Sequence, residues 1–184
     1  DLQKAARPSD YTLLGPLHPH DVAEQALVWM VAQGNTVLCA DLQGHVRRVE
    51  GDLVRAKVSA SVEGILQAAQ WVKASQDELD LLLAWAQCDV GQLIERYGLR
   101  EVVVTRGSQG GYIQHRVGMH LFESTSVSRA CDPTGAGDVF FACYLSKRIV
   151  QKQSISVAVC AAARLAAEQV SGTFLAANAL GVHR

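Results

Sequence analysis

The chain has 184 residues, 49% of them hydrophobic, and its 17 basic and 18 acidic side chains leave a formal charge of −1. That length encloses one substantial core, so residues 1–184 are expected to form a single domain. Balanced charge supplies no field to gather nucleic acid or an anionic membrane surface, and no apolar run approaches the length of a membrane span.

The start, DLQKAARPSDY, has neither the apolar core nor the cleavage pattern of a signal peptide, which points to a soluble, cytoplasmic protein. It opens on Asp1 rather than Met, as a processed form or a piece of a longer protein would. Cysteines 39, 88, 131, 143 and 160 form no CxxC pair and no zinc-like cluster, so they read as reduced, mostly packed thiols.

In chain order, YTLLGPL (11–17) reads as a buried strand leading into a loop. Asp21 is placed to cap a helix running to Gln33, with Val22, Ala26, Trp29 and Met30 on one face and Gly34-Asn35 as its stop. Thr36 to Ala40 reads as a second strand, with Asp41 at its end, where an open α/β sheet presents groups to ligands. Residues 42–59 read as loop with a short ribbon, and Ser61 as the cap of a helix to Ala69.

QWVKA (70–74) is the next strand candidate, and Ser75-Gln76-Asp77-Glu78 has the spacing of a capping box for a helix through Trp85. Val90 to Tyr97 predicts a further helix, ended by Gly98. EVVVT (101–105) is the clearest buried strand; the turn RGSQGG separates it from YIQHRV, which alternates as a strand should. A strand near 120–129, an apolar helix over Val139–Val150 and an alanine-rich helix from Ser154 to Val170 complete the reading. Strands alternating with helices predict a layered α/β fold with a largely parallel sheet.

The segment with the most chemistry is Asp132-Pro133-Thr134-Gly135-Ala136-Gly137-Asp138, directly before an apolar helix. Two glycines allow close backbone approach, and the free amides of a helix start suit a phosphoryl group. A carboxylate at Asp138 would then accept a proton from an attacking hydroxyl. The competing reading is structural: Asp132 or Thr134 caps a helix and the glycines make a tight turn.

The whole heptapeptide resembles the signature of the ribokinase-like family, the phosphofructokinase-B type of carbohydrate kinase. Ala142 and Leu145 fit its continuation, whereas Cys143 stands where a smaller residue is usual. Thr105-Arg106-Gly107-Ser108-Gln109-Gly110 resembles the family's Thr-x-Gly-x-x-Gly turn at the nucleotide phosphates, although such turns are often only turns. Ser75 and Glu78 fall where the family carries Asn-x-x-Glu, with Ser75 replacing the asparagine.

The resemblance implies a three-layer α/β/α sandwich with a mostly parallel central sheet. It implies ATP-dependent phosphoryl transfer to a hydroxyl of a sugar, polyol or nucleoside. Asp138 would be the base, and Gly135, Ala136 and Gly137 the anion cradle. Thr105, Gly107, Gly110 and Ser75 would lie at the nucleotide. Glu78 would organise magnesium (Mg2+) through water; Asp132 and Thr134 would border a monovalent cation such as K+, a feature of many relatives.

Lys73 would counter phosphate charge or stand as an ordinary exposed lysine at a strand end. Asp41-Leu42-Gln43-Gly44 with Arg47 resembles a pattern of sugar, inositol and nucleoside kinase branches. AAARLAAEQVSG resembles the helix bounding the adenine pocket, though a packed alanine-rich helix explains it equally.

The Gly-Gly hinge, acceptor-binding Asp and Asn residues and small β lid of the family's N-terminal region have no counterpart in this sequence. The expected role is therefore the nucleotide-binding, catalytic portion, inactive if the acceptor half is required, and prone to homo-oligomer formation through exposed surface. A noncatalytic nucleotide-binding or regulatory module is the alternative, favoured by Ser75. A dinucleotide-dependent oxidoreductase is disfavoured because the Gly135-Ala136-Gly137 string lacks a third glycine, Phe140 standing in its place. His18-Pro19-His20 lacks a third metal ligand, the three tryptophans read as packing residues, and Arg47-Arg48 is too short a basic run for nucleic acid.

Overall fold

A computed structural model describes residues 11–32, 37–50, 53–127 and 129–172. Strand β1 (Tyr11–Leu14) is followed by helix α1 (Glu24–Ala32) and strand β2 (Val37–Asp41). A ribbon, β3 (Arg47–Glu50) and β4 (Leu53–Ala56), leads to α2 (Val62–Ala68), β5 (Trp71–Ser75), α3 (Gln76–Ala86) and α4 (Val90–Tyr97). Strands β6 (Glu101–Thr105), β7 (Gly111–His115) and β8 (Gly118–Phe122) precede α5 (Ala136–Leu145) and α6 (Ile155–Val170).

The main sheet has the order β1-β2-β5-β6-β7-β8, and the ribbon forms a separate antiparallel pair. Strand β1 runs parallel to β2, and β2 to β5, each connection passing through a helix as parallel pairing requires. The turn Arg106–Gly110 that joins β6 to β7 is far too short for the helix a parallel crossover needs.

Two compact units divide the described residues. One lies within Asp1–Val104 plus Gln114–Met119, the other within Thr105–Ile113 plus His120–Arg184.

In the first unit, Leu38, Cys39 and Ala40 of β2 and Val72 and Ala74 of β5 are 0–1% exposed. Successive strand residues point to opposite faces, so both faces of these strands are covered, as parallel strands require. Burial of this kind removes the Cys39 thiol from water and pushes its pKa up to about 12. All five cysteines are free, but Cys131 and Cys160 are exposed rather than packed.

Helix α3 begins with no linker after β5, because Ser75 is at once the last residue of the strand and the helix N-cap. Helix α4 has its own box, Asp89 with Gln92, and ends on Gly98 at φ +67°, a left-handed conformation that glycine adopts without a Cβ clash.

Two expected caps are absent. Asp21 accepts from the backbone N–H groups of Leu17 and His18, each at 2.8 Å, closing the loop before α1 instead of capping it. Those bonds, from His18 first and Leu17 second, hold its carboxyl below the usual carboxylate range. The face of α1 turned inward is set by Leu27, while Val22, Ala26, Trp29 and Met30 are only half-buried. The Gly34-Asn35 stop lies outside the described residues.

Ser61 likewise makes no cap bond; its hydroxyl meets His45 Nδ1 at 3.0 Å and Ser59 Oγ at 2.9 Å. Gly44 beside it is a place where a side chain is excluded, since a Cβ there would stand 2.5 Å from the Pro16 carbonyl oxygen.

In the second unit, Phe141 and Tyr144 of α5 are 1% and 0% exposed, and Phe140 stacks on Phe122 with ring centroids 5.1 Å apart. The apolar helix starts three residues earlier than the sequence pattern indicates, at Ala136, and its last turn loosens into a π-helical segment over Ser146–Val150. Residues 123–127 carry no strand, so β8 ends at Phe122. Helix α6 is capped by Ser154, whose hydroxyl accepts from Val157 N at 3.3 Å.

Candidate active site

The Asp132–Asp138 segment forms the entry to α5. Asp132 Oδ1 accepts from Thr134 N at 2.8 Å, and Ala136 N donates to the Pro133 carbonyl at 3.1 Å. Hydrogen bonds from Thr134, its side chain first and its backbone second, hold the Asp132 carboxyl below the usual range. Gly135 is the N-cap residue at φ +76°, so the position that often supplies a capping side chain carries none.

Intrahelical bonding starts with Val139 N to the Gly135 carbonyl at 2.9 Å. Gly137 and Asp138 are the second and third residues of the helix, so their N–H groups have no acceptor within it. Asp138 is exposed at this positive end, and Gly135, Ala136 and Gly137 are half-buried. Two amides without an intrahelical acceptor, next to an exposed carboxylate, can receive an anion and a hydroxyl proton respectively.

The segment is held from behind by the end of α6. Cys131 N and Asp132 N both donate to the Val170 carbonyl, at 2.8 and 3.2 Å, and Gln169 Nε2 donates to the Thr134 carbonyl at 3.1 Å. Gln169 was not legible as a site residue, because nothing in its own neighbourhood marks it; its partner lies 35 positions away.

The second motif in this unit is the turn after β6. Thr105 closes the strand half-buried, and Arg106 N donates to the Gly110 carbonyl at 2.8 Å. Its two glycines differ in kind. Gly107, at φ +55°, is exposed with open space where a Cβ would stand. Gly110, at φ +77°, is buried, and a Cβ there would lie 2.1 Å from the Phe122 carbonyl oxygen, so its lack of a side chain serves the packing of β8. Arg106 lies over the ring of Tyr112 at 5.9 Å.

Ser75 and Glu78 belong to the first unit. Ser75 Oγ accepts from Glu78 N at 3.3 Å, and Ser75 N donates to Glu78 Oε2 at 2.7 Å, so the capping box is complete. Both residues are half-buried. Lys73 is not an exposed strand-end lysine: it is 5% exposed, and its Nζ lies 2.5 Å from Asp41 Oδ2, with Asp41 3% exposed. A charged residue within each of the apolar runs VLCAD and WVKAS was the available sign of a buried pair.

Among the described residues no group of three or more His, Cys, Asp or Glu side chains could hold a metal ion. Glu78, a half-buried carboxylate at the start of α3, is a hard oxygen donor of the kind a magnesium ion takes. No helix among the described residues is long and apolar enough to cross a membrane.

The fold is the ribokinase-like α/β fold. A nucleoside kinase of Burkholderia thailandensis in complex with inosine matches with a TM-score of 0.74 at 21% identity, over 90% of this chain and 50% of that one. A pyrophosphate-dependent kinase in the ribokinase family matches with a TM-score of 0.75 at 21% identity, over 91% and 59%. A fructokinase of Escherichia coli is 37% identical over 79 residues, 42% of this chain and 25% of that enzyme. Residues 39–177, well over half of the chain, match the model of the pfkB family of carbohydrate kinases. The chain belongs to that family. It spans about half the length of these structural relatives and a quarter of the fructokinase.

Proposed function

We propose that the chain is the nucleotide-binding, catalytic portion of a kinase that moves the γ-phosphoryl group of ATP to a hydroxyl of a sugar, polyol or nucleoside. The observation that carries this reading is the entry of α5, where exposed Asp138 stands beside helix amides with no intrahelical acceptor. Asp138 accepts the proton of the acceptor hydroxyl as its oxygen attacks phosphorus. The amides of Gly137 and Asp138, on a backbone turned by Gly135, stabilise the negative charge on the transferred group.

Thr105 and Gly107 are assigned to the nucleotide phosphates, Gly107 because its exposed backbone leaves room for them, and Gly110 to holding that turn. Glu78, with Ser75 beside it, is assigned to the water shell of magnesium; when bound, the ion neutralises charge on the phosphates. Asp132 and Thr134 are assigned to a monovalent cation (K+), consistent with an Asp132 carboxyl held ionised by Thr134. The nucleoside and fructose specificities named for the relatives mark the range of acceptors, and cytoplasmic placement and self-association belong to the same reading.

A second reading is a noncatalytic nucleotide-binding module. One observation favours it: both bonds of the capping box tie Ser75 to Glu78, where the family's asparagine would reach for phosphate.

Assay of pentoses, hexoses, inositol and nucleosides with Mg·ATP, and separately with pyrophosphate, separates the two. Turnover lost in Asp138→Asn by about a thousandfold, with nucleotide affinity retained, is the expected result. Nucleotide binding without turnover on any acceptor would move the assignment to the module. Turnover unaffected by Asp138→Asn would remove the base.

A further inference from the structure

Asp41 and Lys73 are partners in the register of the parallel strands β2 and β5, and both side chains are almost wholly removed from water, 4% and 6% exposed. Lys73 Nζ donates to Asp41 Oδ2, Asp41 Oδ1 accepts from Gln43 N at 3.1 Å, and Leu42 N donates to the Lys73 carbonyl at 2.8 Å. A buried ion pair is a weak source of stability, because desolvation offsets its attraction and a well-packed apolar pair often does as well or better. Its geometric effect is different. It pins the carboxyl ends of two adjacent strands, the edge at which an open α/β sheet presents groups to ligands.

The backbone after Lys73 has little freedom to absorb an error. Ala74 is 0% exposed, Ser75 ends the strand and caps α3, and the Ser75 amide grips the Glu78 carboxylate. With no loop between β5 and α3, a displacement at Lys73 passes directly to Glu78. The same bonds keep the Lys73 ammonium occupied inside the unit, away from a role as a mobile phosphate ligand.

We infer that the Asp41–Lys73 ion pair is a positioning device that fixes the Ser75–Glu78 capping box and through it the Glu78 carboxylate. Its importance for catalysis rests on the role proposed above for Glu78, whereas its effect on the box does not.

The test uses the full chain and the variant Asp41→Leu/Lys73→Met, in which an apolar pair replaces the charges. Amide hydrogen exchange is followed at Ser75 and Glu78, together with the thermal midpoint and affinity for ATP with and without Mg2+. Expected are a midpoint near that of the parent, exchange at both amides faster by about tenfold, and a comparable loss of affinity confined to the Mg2+-containing titration. Unchanged exchange at both amides overturns the inference.

Faster exchange with unaltered Mg·ATP affinity upholds the positioning and removes Glu78 from the metal site. Should the double variant fail to fold, Lys73→Arg, which keeps the charge but changes reach and shape, serves in its place. Faster exchange at Ser75 and Glu78 is again expected, and parent-like exchange again overturns the inference.

Discussion

Gly110 and Phe122 approach each other backbone to backbone, so closely that a Cβ on Gly110 would stand 2.1 Å from the Phe122 carbonyl oxygen. The neighbouring Gly107 shares a positive φ but faces open space. Gly110→Ala therefore combines a left-handed conformation with a clash against backbone and is expected to cost about 3 kcal/mol or more. Gly107→Ala carries the conformational strain alone, about 1 kcal/mol. Urea unfolding of the two variants checks the order, and equal losses would show that β8 yields to accommodate the methyl.

Ser75 carries both a structural and a proposed ligand role, which substitution separates. Ser75→Ala removes the cap of α3 and is expected to lower stability by about 1 kcal/mol. Ser75→Asn keeps a capping oxygen and adds a longer amide with two donors. Its stability is expected to stay within about 0.5 kcal/mol of the parent while its affinity for Mg·ATP rises, as calorimetry with the nucleotide would register. An unchanged affinity would leave Ser75 with its cap alone.

His45 gives the fold a pH dependence. It is 1% exposed; its Nδ1 meets Ser61 Oγ, and its Nε2 has no hydrogen-bond partner. Burial lowers its pKa from the ordinary 6.5, against a smaller upward pull from Asp21. With the folded pKa below the unfolded one, the unfolded chain binds more protons between the two values. The contribution of His45 is thus fully present above pH 6.5 and is lost as pH falls from there through the folded pKa. Thermal midpoints of His45→Asn are expected to fall less than those of the parent between about pH 7 and pH 5. Parallel curves would assign the acid sensitivity to other groups.

Features decided within a few residues were legible in the sequence. The Ser75–Glu78 box, the Gly98 stop, the start of α6 at Ser154 and the turn between β6 and β7 all stand where local chemistry put them. Residues whose partners lie outside the element they were expected to join were not legible. Asp21 and Ser61 have the chemistry of helix caps, but Asp21 folds back onto Leu17 and His18, and Ser61 is drawn to His45, 16 positions earlier. Lys73 looked like a surface lysine because Asp41, the residue that allows it to be buried, is 32 positions away. At the candidate site the heptapeptide announced the helix entry and its exposed carboxylate, whereas the supports behind it belong to α6.

Those supports give the heptapeptide a borrowed shape. The Val170 carbonyl receives the amides of Cys131, just before the heptapeptide, and of Asp132, its first residue, and Gln169 steadies the Thr134 carbonyl, so a helix made later in the chain sculpts the loop that precedes α5. Transplanted into another scaffold without the closing turn of α6, Asp132–Asp138 would keep its letters and lose its curvature. The curvature of the signature is thus a joint property of the segment and the end of α6.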